Sequence, residues 1–226
     1  MELNSKEIKE PGFKNDSARV EINPDFFSMR KSPRETGKAA GETLNRDVPL
    51  PQGPIDYLGD KDAIDPADIK KAGEMITRSL DFIVKNAETP VERKVAETLE
   101  SLFQSNKVVL CDSKELCGND AYGVFCSGKD PYIAIDLNCA LDYGTAELVD
   151  TLSHEGYHAA QYKAGHKNDI VKEEVHAWNF GLIMSNEYRI QHGQTIARIN
   201  PYTEHELRNQ KGYTNSGGGK GFAEIC

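Results

Sequence analysis

The sequence contains no apolar run long enough to cross a membrane. A transmembrane helix needs about 20 consecutive, mainly apolar residues, whereas this chain of 226 residues has a mean hydropathy of −0.59. Its first residues, MELNSKEIKEPGF, also contain no apolar segment of the kind that a conventional secretory signal requires. We therefore expect no membrane span, and either a cytoplasmic location or export by a specialised secretion route that does not read such a signal.

Positive charge is also scarce. The chain has 27 lysines and arginines against 36 aspartates and glutamates, which gives a net charge of −9 at pH 7. A protein that binds nucleic acid usually presents a basic face to the phosphates. This composition therefore argues against nucleic acid as a partner.

Cysteine is sparse, and the five cysteines include no C-x-x-C pair. That absence argues against a structural zinc ribbon, whose ligands usually come in such pairs. Four of the cysteines lie close together in sequence: Cys111, Cys117, Cys126 and Cys139. They are compatible with reduced thiols in a small sheet or with one or two disulfides. With Cys226 the number is odd, so at least one thiol lacks a partner within the chain.

Residues 1–61 are poor in apolar side chains and are interrupted by prolines. Such a segment cannot bury enough surface to offset the entropy that it would lose on ordering. We predict a mostly disordered leader over 1–61, a folded domain over 62–212 and a flexible, glycine-rich tail over 213–226. The leader has either no function of its own or that of docking to a partner, an interpretation based on composition alone. The prolines are Pro11, Pro24, Pro33, Pro49, Pro51 and Pro54.

Two helices are predicted ahead of the centre of the chain. Asp65 followed by Pro66 is typical of a helix start, with an N-cap and then a proline at the first helical position. Thr89 and Glu92 have the spacing of a capping box at the start of the second helix. Apolar residues recur at helical spacing after each start, which indicates helices that pack against a core.

Short β patterns follow over residues 107–111, 122–126 and 132–137. The last two flank a Ser-Gly-Lys-Asp turn and so predict a hairpin. Strict alternation in 132–137 predicts a strand with one buried face. The expected architecture is therefore of the α+β class, with a small mixed sheet packed against helices.

The most informative stretch is Thr145–Lys163, which contains the motif H-E-x-x-H. Because successive helical residues turn by about 100°, His154 and His158 lie one above the other on one face. Two imidazoles at this spacing supply two donors for a divalent metal such as zinc. Glu155, between them, can take a proton from a metal-bound water. The plainer interpretation is two histidines on the solvated side of an amphipathic helix. The apolar residues gather on the opposite arc: Leu148, Val149, Leu152, Gly156, Ala159 and Ala160.

A catalytic zinc usually takes three protein donors and leaves one position open, so the motif still lacks a ligand. A second helix, predicted over residues 169–191, carries two adjacent candidates, Glu173 and Glu174. Glu174 projects between Ile170 and Trp178, an apolar neighbourhood where a bare carboxylate would be costly. Glu173 also has apolar neighbours. The residues alone therefore leave both glutamates open.

Together these two blocks resemble the gluzincin branch of the zincin metallopeptidases. In that group H-E-x-x-H on one helix is completed by a glutamate on the next. In several of its families an alanine follows this glutamate three residues later, as Ala177 follows Glu174 here. The resemblance covers about residues 132–190 and favours Glu174 over Glu173. The longer metzincin motif is absent, because Ala164 stands where it requires a third histidine.

This resemblance implies a zincin-like metallopeptidase domain with one zinc ion per chain, held by His154, His158 and Glu174. The expected reaction is hydrolysis of a peptide bond in a protein or peptide substrate, with Glu155 as the catalytic base. The chain is also similar to small bacterial metallopeptidase effector and toxin domains, in which a single H-E-x-x-H domain follows an unstructured leader. That similarity implies a secreted effector or toxin.

The same resemblance suggests how substrate is bound. In zincins the strand before the motif helix lies at the edge of the active-site cleft, where a substrate strand can pair with it. Here that strand is 132–137, and an ordinary sheet strand is the alternative. Related enzymes also place a tyrosine or histidine downstream of the ligand glutamate to stabilise the oxyanion. Tyr202 and His205 are the candidates here.

Two other classes of function are compatible with the sequence. One is a regulatory or partner-binding module of zincin fold with little proteolytic activity, against which the intact Glu155 argues. The other is a structural or interaction protein whose histidines are incidental. Metal content of the purified chain separates the second class from an enzyme.

Overall fold

The computed structural model of the chain describes residues 55–112, 121–165 and 170–209. Most of the predicted leader and the whole predicted tail lie outside these described residues. Within them the chain is of the α+β class with a small mixed sheet, as the sequence predicts, and it has six α-helices and four strands.

The elements are numbered in chain order. The strands are β1 (Tyr57–Leu58), β2 (Val108–Cys111), β3 (Gly123–Cys126) and β4 (Tyr132–Asp136). The helices are α1 (Pro66–Asn86), α2 (Pro90–Gln104), α3 (Leu137–Asp142), α4 (Thr145–Lys163), α5 (Ile170–Gln191) and α6 (Glu204–Asn209). A 3₁₀ turn covers Lys61–Ala63. Over the described ranges, no helix is both long and apolar enough to traverse a bilayer.

The first two helices begin where their local signals predict. The Asp65 side chain accepts a hydrogen bond from the backbone N–H of Ala67, and Pro66 opens α1. At the start of α2, Thr89 Oγ1 accepts from the Glu92 N–H at 3.2 Å, and Glu92 Oε2 accepts from the Thr89 N–H at 2.8 Å. These hydrogen bonds satisfy backbone donors that a helix start leaves unpaired.

The strands lie in the order β1-β2-β4-β3, with β1, β2 and β4 parallel. β3 runs antiparallel to β4, which confirms the predicted hairpin. β1 lies ahead of the domain start predicted at residue 62. Its two residues are too few to show an alternating pattern. Ile55 and Tyr57 are nevertheless buried in the main core, so that core includes residues upstream of the predicted start.

The prediction of one buried face for β4 is wrong, because both of its faces are buried. Of the two alternatives for this strand, the ordinary sheet strand is the one observed, since β4 lies between β2 and β3 rather than at an edge. Ile133 and Ile135 join the main core, while Ala134 packs on the other face with Val109 and Val124. Strand order depends on contacts distant in sequence, and consecutive strands are neighbours in only roughly two-thirds of cases.

The outer face of the sheet carries two of the cysteines. Cys111 on β2 and Cys126 on β3 are both buried there, with β4 between them. They are not joined to each other by a disulfide. Cys117 and Cys226 lie outside the described residues, so any bridge that involves them stays a prediction.

Helix α4 is at the centre of the fold, packed against α1, α2 and, most extensively, α5. Its apolar arc is buried as predicted, with Leu148, Val149 and Leu152 at 2 % exposure or less. Gly156 lies against Leu99 of α2 so closely that an added Cβ would be 2.7–2.9 Å from three atoms of the Leu99 side chain. This contact turns the histidine face of α4 away from α2 and towards α5.

Candidate metal centre

His154 and His158 face each other across one turn of α4. Their Nε2 atoms are 3.2 Å apart, and their ring centroids are 4.8 Å apart in an edge-to-face arrangement. The two side chains are only 12 % and 15 % exposed. The histidines therefore do not lie on the solvated side of the helix, which was the plainer interpretation of the motif.

Glu174 of α5 completes a group of three. Its Oε2 atom lies 3.5 Å from His154 Nε2, and its Oε1 atom lies 3.4 Å from His158 Nε2. Glu174 is buried, at the place where α5 packs on the histidine face of α4. The structure thus brings together the three residues predicted as ligands, with one donor atom from each within 4.8 Å of the others.

The separations within this group fit a metal ion. Bonds of about 2.0–2.1 Å in a tetrahedral zinc site place neighbouring ligand atoms ~3.3 Å apart. The three separations observed here are 3.2, 3.4 and 3.5 Å. The first separation joins the two Nε2 atoms, whereas the other two end on different oxygens of Glu174, so the carboxylate lies across both imidazoles. Three protein donors would leave the fourth position of a tetrahedral site for a ligand that is not protein. A cation between the two imidazole nitrogens and the buried carboxylate would also offset the cost of burying that charge.

Glu173 lies behind His158 rather than in the donor group. Its Oε1 atom is 3.0 Å from Nδ1 of His158, the ring nitrogen that faces away from the centre. A hydrogen bond at Nδ1 fixes the tautomer in which Nε2 presents its lone pair to a metal. The two adjacent glutamates of α5 therefore make different contacts, Glu174 with both Nε2 atoms and Glu173 with Nδ1 of His158.

Glu155 lies beside the donor group and is held by the sheet. It is buried, and its Oε2 atom accepts a hydrogen bond of 2.8 Å from the backbone N–H of Phe125 in β3. Its Oε1 atom lies 3.9 Å from His154 Nε2. Phe125 could not be predicted as a partner of Glu155, because a backbone donor from another element leaves no side-chain signal.

Three comparisons with known proteins identify no relative of this chain. No model of a known protein family, no curated protein and no solved structure matches it. Function is therefore inferred from the residues of the centre and their geometry.

The charges of the centre are strongly coupled. Burial opposes the protonated form of His158, but hydrogen bonds to Glu173 and Glu174 outweigh it and raise the pKa of His158 to about 10. Burial would also raise the pKa of Glu174, but the contacts with His154 and His158 dominate and lower that pKa well below its ordinary value. The raised pKa favours a proton on His158, and a divalent cation bound through Nε2 would displace that proton.

Aromatic side chains cover the outer side of His154. The Trp178 ring of α5 lies edge-on to the His154 ring, with centroids 4.9 Å apart, and the Tyr202 ring lies 5.4 Å from that of Trp178. The Asn179 side chain holds the Tyr202 backbone, accepting from its N–H at 2.6 Å and donating to its carbonyl at 2.9 Å. Tyr202 therefore contacts the centre through Trp178, and His205 is exposed on α6. The oxyanion role of either residue stays a prediction.

A second, half-buried carboxylate lies one turn before His154 on α4. Asp150 Oδ2 accepts a hydrogen bond of 2.9 Å from Ser185 Oγ of α5, and burial raises the pKa of Asp150. Gly181 of α5 lies directly against this residue, because an added Cβ would collide with the carboxylate and lie 2.7 Å from the Asp150 carbonyl oxygen. Sequence reasoning did not single out Asp150, although its spacing of four residues from His154 was an available signal.

Proposed function

We propose that this protein is a zinc-dependent endopeptidase with a zincin-like metallopeptidase domain. The observation that carries the proposal is the convergence of His154, His158 and Glu174. The two Nε2 atoms lie 3.2 Å apart, each is within 3.5 Å of a Glu174 oxygen, and Glu155 lies beside them. His154, His158 and Glu174 would hold one zinc ion per chain. The resemblance of the motif and the downstream glutamate to gluzincins supports the same assignment. It also suggests a secreted effector or toxin as the setting.

The chemistry divides between the metal and the protein. Bound zinc would polarise the scissile carbonyl and lower the pKa of a coordinated water to about 7. Glu155 takes a proton from the attacking water and delivers it to the leaving amine. The Phe125 N–H holds Oε2 of Glu155, which keeps Oε1 turned towards the donor group. Glu173 keeps His158 in the orientation that presents Nε2.

The proposed substrate is a protein or peptide segment that pairs with the edge strand β3. The Asp136 N–H donates to the Tyr122 carbonyl, on the side of this strand that faces β4. Along an antiparallel strand, the backbone N–H and C=O groups of successive residues point alternately to one side and the other. Those of Gly123 and Phe125 therefore point to the side of β3 away from β4. The Phe125 N–H reaches Glu155 there. An extended peptide added to this edge would therefore pass beside the base.

Zinc content and peptide hydrolysis test the proposal together. The wild-type protein should hold one zinc ion per chain and cleave an unfolded protein substrate. A His154→Ala, His158→Ala double variant should lose the zinc, because two of its three donors are gone. Glu155→Gln should retain zinc and lose about 10²–10⁴-fold in turnover, because the amide cannot accept the proton.

Glu147→Gln is a matched control. It removes a carboxylate from the same helix, and that carboxylate pairs with Arg189 rather than with the donor group. It should retain both zinc and turnover. Stoichiometric zinc in the double variant would overturn the site. Full turnover by Glu155→Gln would overturn the enzymatic role and favour a module that binds partners and cuts poorly.

A further inference from the structure

Helix α4 lies against the edge strand β3, and Glu155 reaches from the helix to the strand. A Cβ added at Gly123 would lie 2.6 Å from the Thr151 side chain of α4. Two residues further along β3, the Phe125 N–H donates to Glu155 at 2.8 Å. Within the described residues, β3 is the last strand on this side of the sheet. The outward backbone groups of Gly123 and Phe125 therefore face no other strand.

An extended substrate segment would add to β3 as a further strand. An antiparallel orientation is expected, because antiparallel pairing is slightly more stable per residue. The substrate residue opposite Phe125 then donates its N–H to the Phe125 carbonyl. Its own carbonyl finds the Phe125 N–H already bonded to Glu155 and is left unpaired beside the base. The contact between Glu155 and β3 thus places the scissile bond directly after this substrate residue.

This register decides which residue of the chain meets which residue of the substrate. Because the two strands run in opposite directions, Val124, Gly123 and Tyr122 lie opposite the first, second and third residues after the scissile bond. Side chains directly opposite each other lie on the same face, with Cβ atoms ~4.5–5.5 Å apart. The side chain of the third residue after the scissile bond would therefore lie against Tyr122.

Tyr122 presents an aromatic surface at this position. It is 46 % exposed and stacks on Tyr143, which is 53 % exposed. The two ring centroids are 5.0 Å apart, and the ring planes meet at 27°. Tyr143 is the C-cap of α3, so the pair joins the start of β3 to the chain just before α4. Stacked rings with this much exposed surface can pack against a third ring or a large aliphatic side chain.

We propose that Tyr122 and Tyr143 form a specificity subsite that selects an aromatic or large aliphatic side chain at the third residue after the scissile bond. The subsite is about 10 Å along the strand from Phe125. It therefore contributes to binding of the substrate and not to the chemical step. This inference rests on the proposed function, and it adds two residues that neither the motif nor its resemblance includes.

Cleavage of a mixed peptide library by the purified full-length protein tests the inference, with the products identified by mass spectrometry. Aromatic and large aliphatic residues should be enriched at the third position after the cut. Two peptides that differ only there, with phenylalanine or alanine, should differ by about 2–10-fold in kcat/KM, the size expected for an aromatic contact. The difference should lie in KM, because a contact made equally in the ground state and the transition state leaves kcat unchanged.

Variants of the pair assign the preference to the two rings. Tyr143→Ala should reduce the difference between the two peptides, and a Tyr122→Ala, Tyr143→Ala double variant should abolish it. A Tyr122→Phe, Tyr143→Phe double variant keeps both rings and should keep the preference. Tyr162→Ala is the matched control, since Tyr162 is 47 % exposed but is bonded to Gly128 beyond the other end of β3. It should leave the preference at the third position unchanged.

The possible failures of the inference and of the proposed function are distinct. Cleavage by the wild type without preference at the third position would overturn the inference and leave the proposed function standing. An unchanged preference in the double alanine variant would do the same, as would a preference before the cut, which indicates a parallel substrate. If the double alanine variant does not fold, the wild type and Tyr143→Ala decide. A wild-type protein that cuts no peptide would overturn both.

Discussion

At the scale of single residues, replacing Glu173 and replacing Glu174 should have different effects on zinc binding and hydrolysis. Glu174→Ala removes a donor atom, so zinc and hydrolysis should both be lost. Glu173→Ala removes only the hydrogen bond to Nδ1 of His158. Zinc affinity should then fall by about 10–100-fold, while full occupancy is still reached at high zinc concentration. Zinc titration of both variants measures the difference.

Glu173→Gln is the control for this comparison, since its amide oxygen can still accept from His158 Nδ1. It should lose less affinity than Glu173→Ala. If Glu173→Ala released zinc at all concentrations while Glu174→Ala retained it, the roles of the two residues would be reversed.

Some residues of the centre were predictable from the sequence, and others were not. His154 and His158 were predictable as a pair, because a spacing of four residues on one helix fixes their relative position. Glu173 and Glu174 could not be separated from the residues alone. Their roles depend on how α5 is rotated against α4, and that rotation is set by contacts such as Gly181 against Asp150.

At the scale of the element, the close contact between α4 and α2 predicts that alanine in place of Gly156 destabilises the protein. In a helix interior, Gly→Ala normally stabilises by about 1 kcal/mol. At Gly156 the new Cβ would lie within 2.9 Å of the Leu99 side chain, which is fully buried. Overpacking of this kind costs about 1–3 kcal/mol. Gly156→Ala should therefore lower the free energy of unfolding, measured by denaturant titration.

Gly73 of α1 offers a matched control for this substitution. A Cβ at Gly73 would meet Ile55 at 3.7 Å, which is ordinary van der Waals contact. Gly73→Ala should therefore stabilise the protein by about 0.5–1 kcal/mol. A Gly156→Ala protein as stable as Gly73→Ala would show that the two helices can separate at this point.

Elements with local signals were predictable, and elements defined by long-range pairing were not. The starts of α1 and α2 and the bounds of α4 follow from caps and periodicity within a few residues. β1 is too short to carry a pattern, and the central position of β4 comes from its parallel pairing with β2.

At the scale of the whole molecule, the metal-free protein should lose stability as the pH rises. The pKa of His158 is about 10 in the folded protein against an ordinary value of 6.5. The folded state therefore keeps a proton that the unfolded state releases. This stabilisation is fully present below about pH 6.5 and is lost as the pH rises towards 10. Urea unfolding of protein treated with chelator measures it across that range.

His158→Gln serves as the reference, because it removes this proton while leaving the other titrating groups in place. The stability difference between wild type and variant should shrink steadily between pH 6.5 and 10. Saturating zinc should remove most of this pH dependence in the wild type, since the metal replaces the proton on His158. A difference that grows with pH in metal-free protein would contradict the charge coupling of the centre.

The donor residues all come from two consecutive helices, and this has a consequence for how the protein folds. His158 and Glu173 are only 15 residues apart in sequence, and Glu174 follows directly. Contacts that are local in the chain form faster than distant ones, because less loop entropy is lost in making them. The pairing of β1 with β2, by contrast, must wait for two intervening helices to be placed. A chain that refolds in the presence of zinc would therefore meet the ion while the sheet is still incomplete. The ion would then act on the folding pathway as a nucleus.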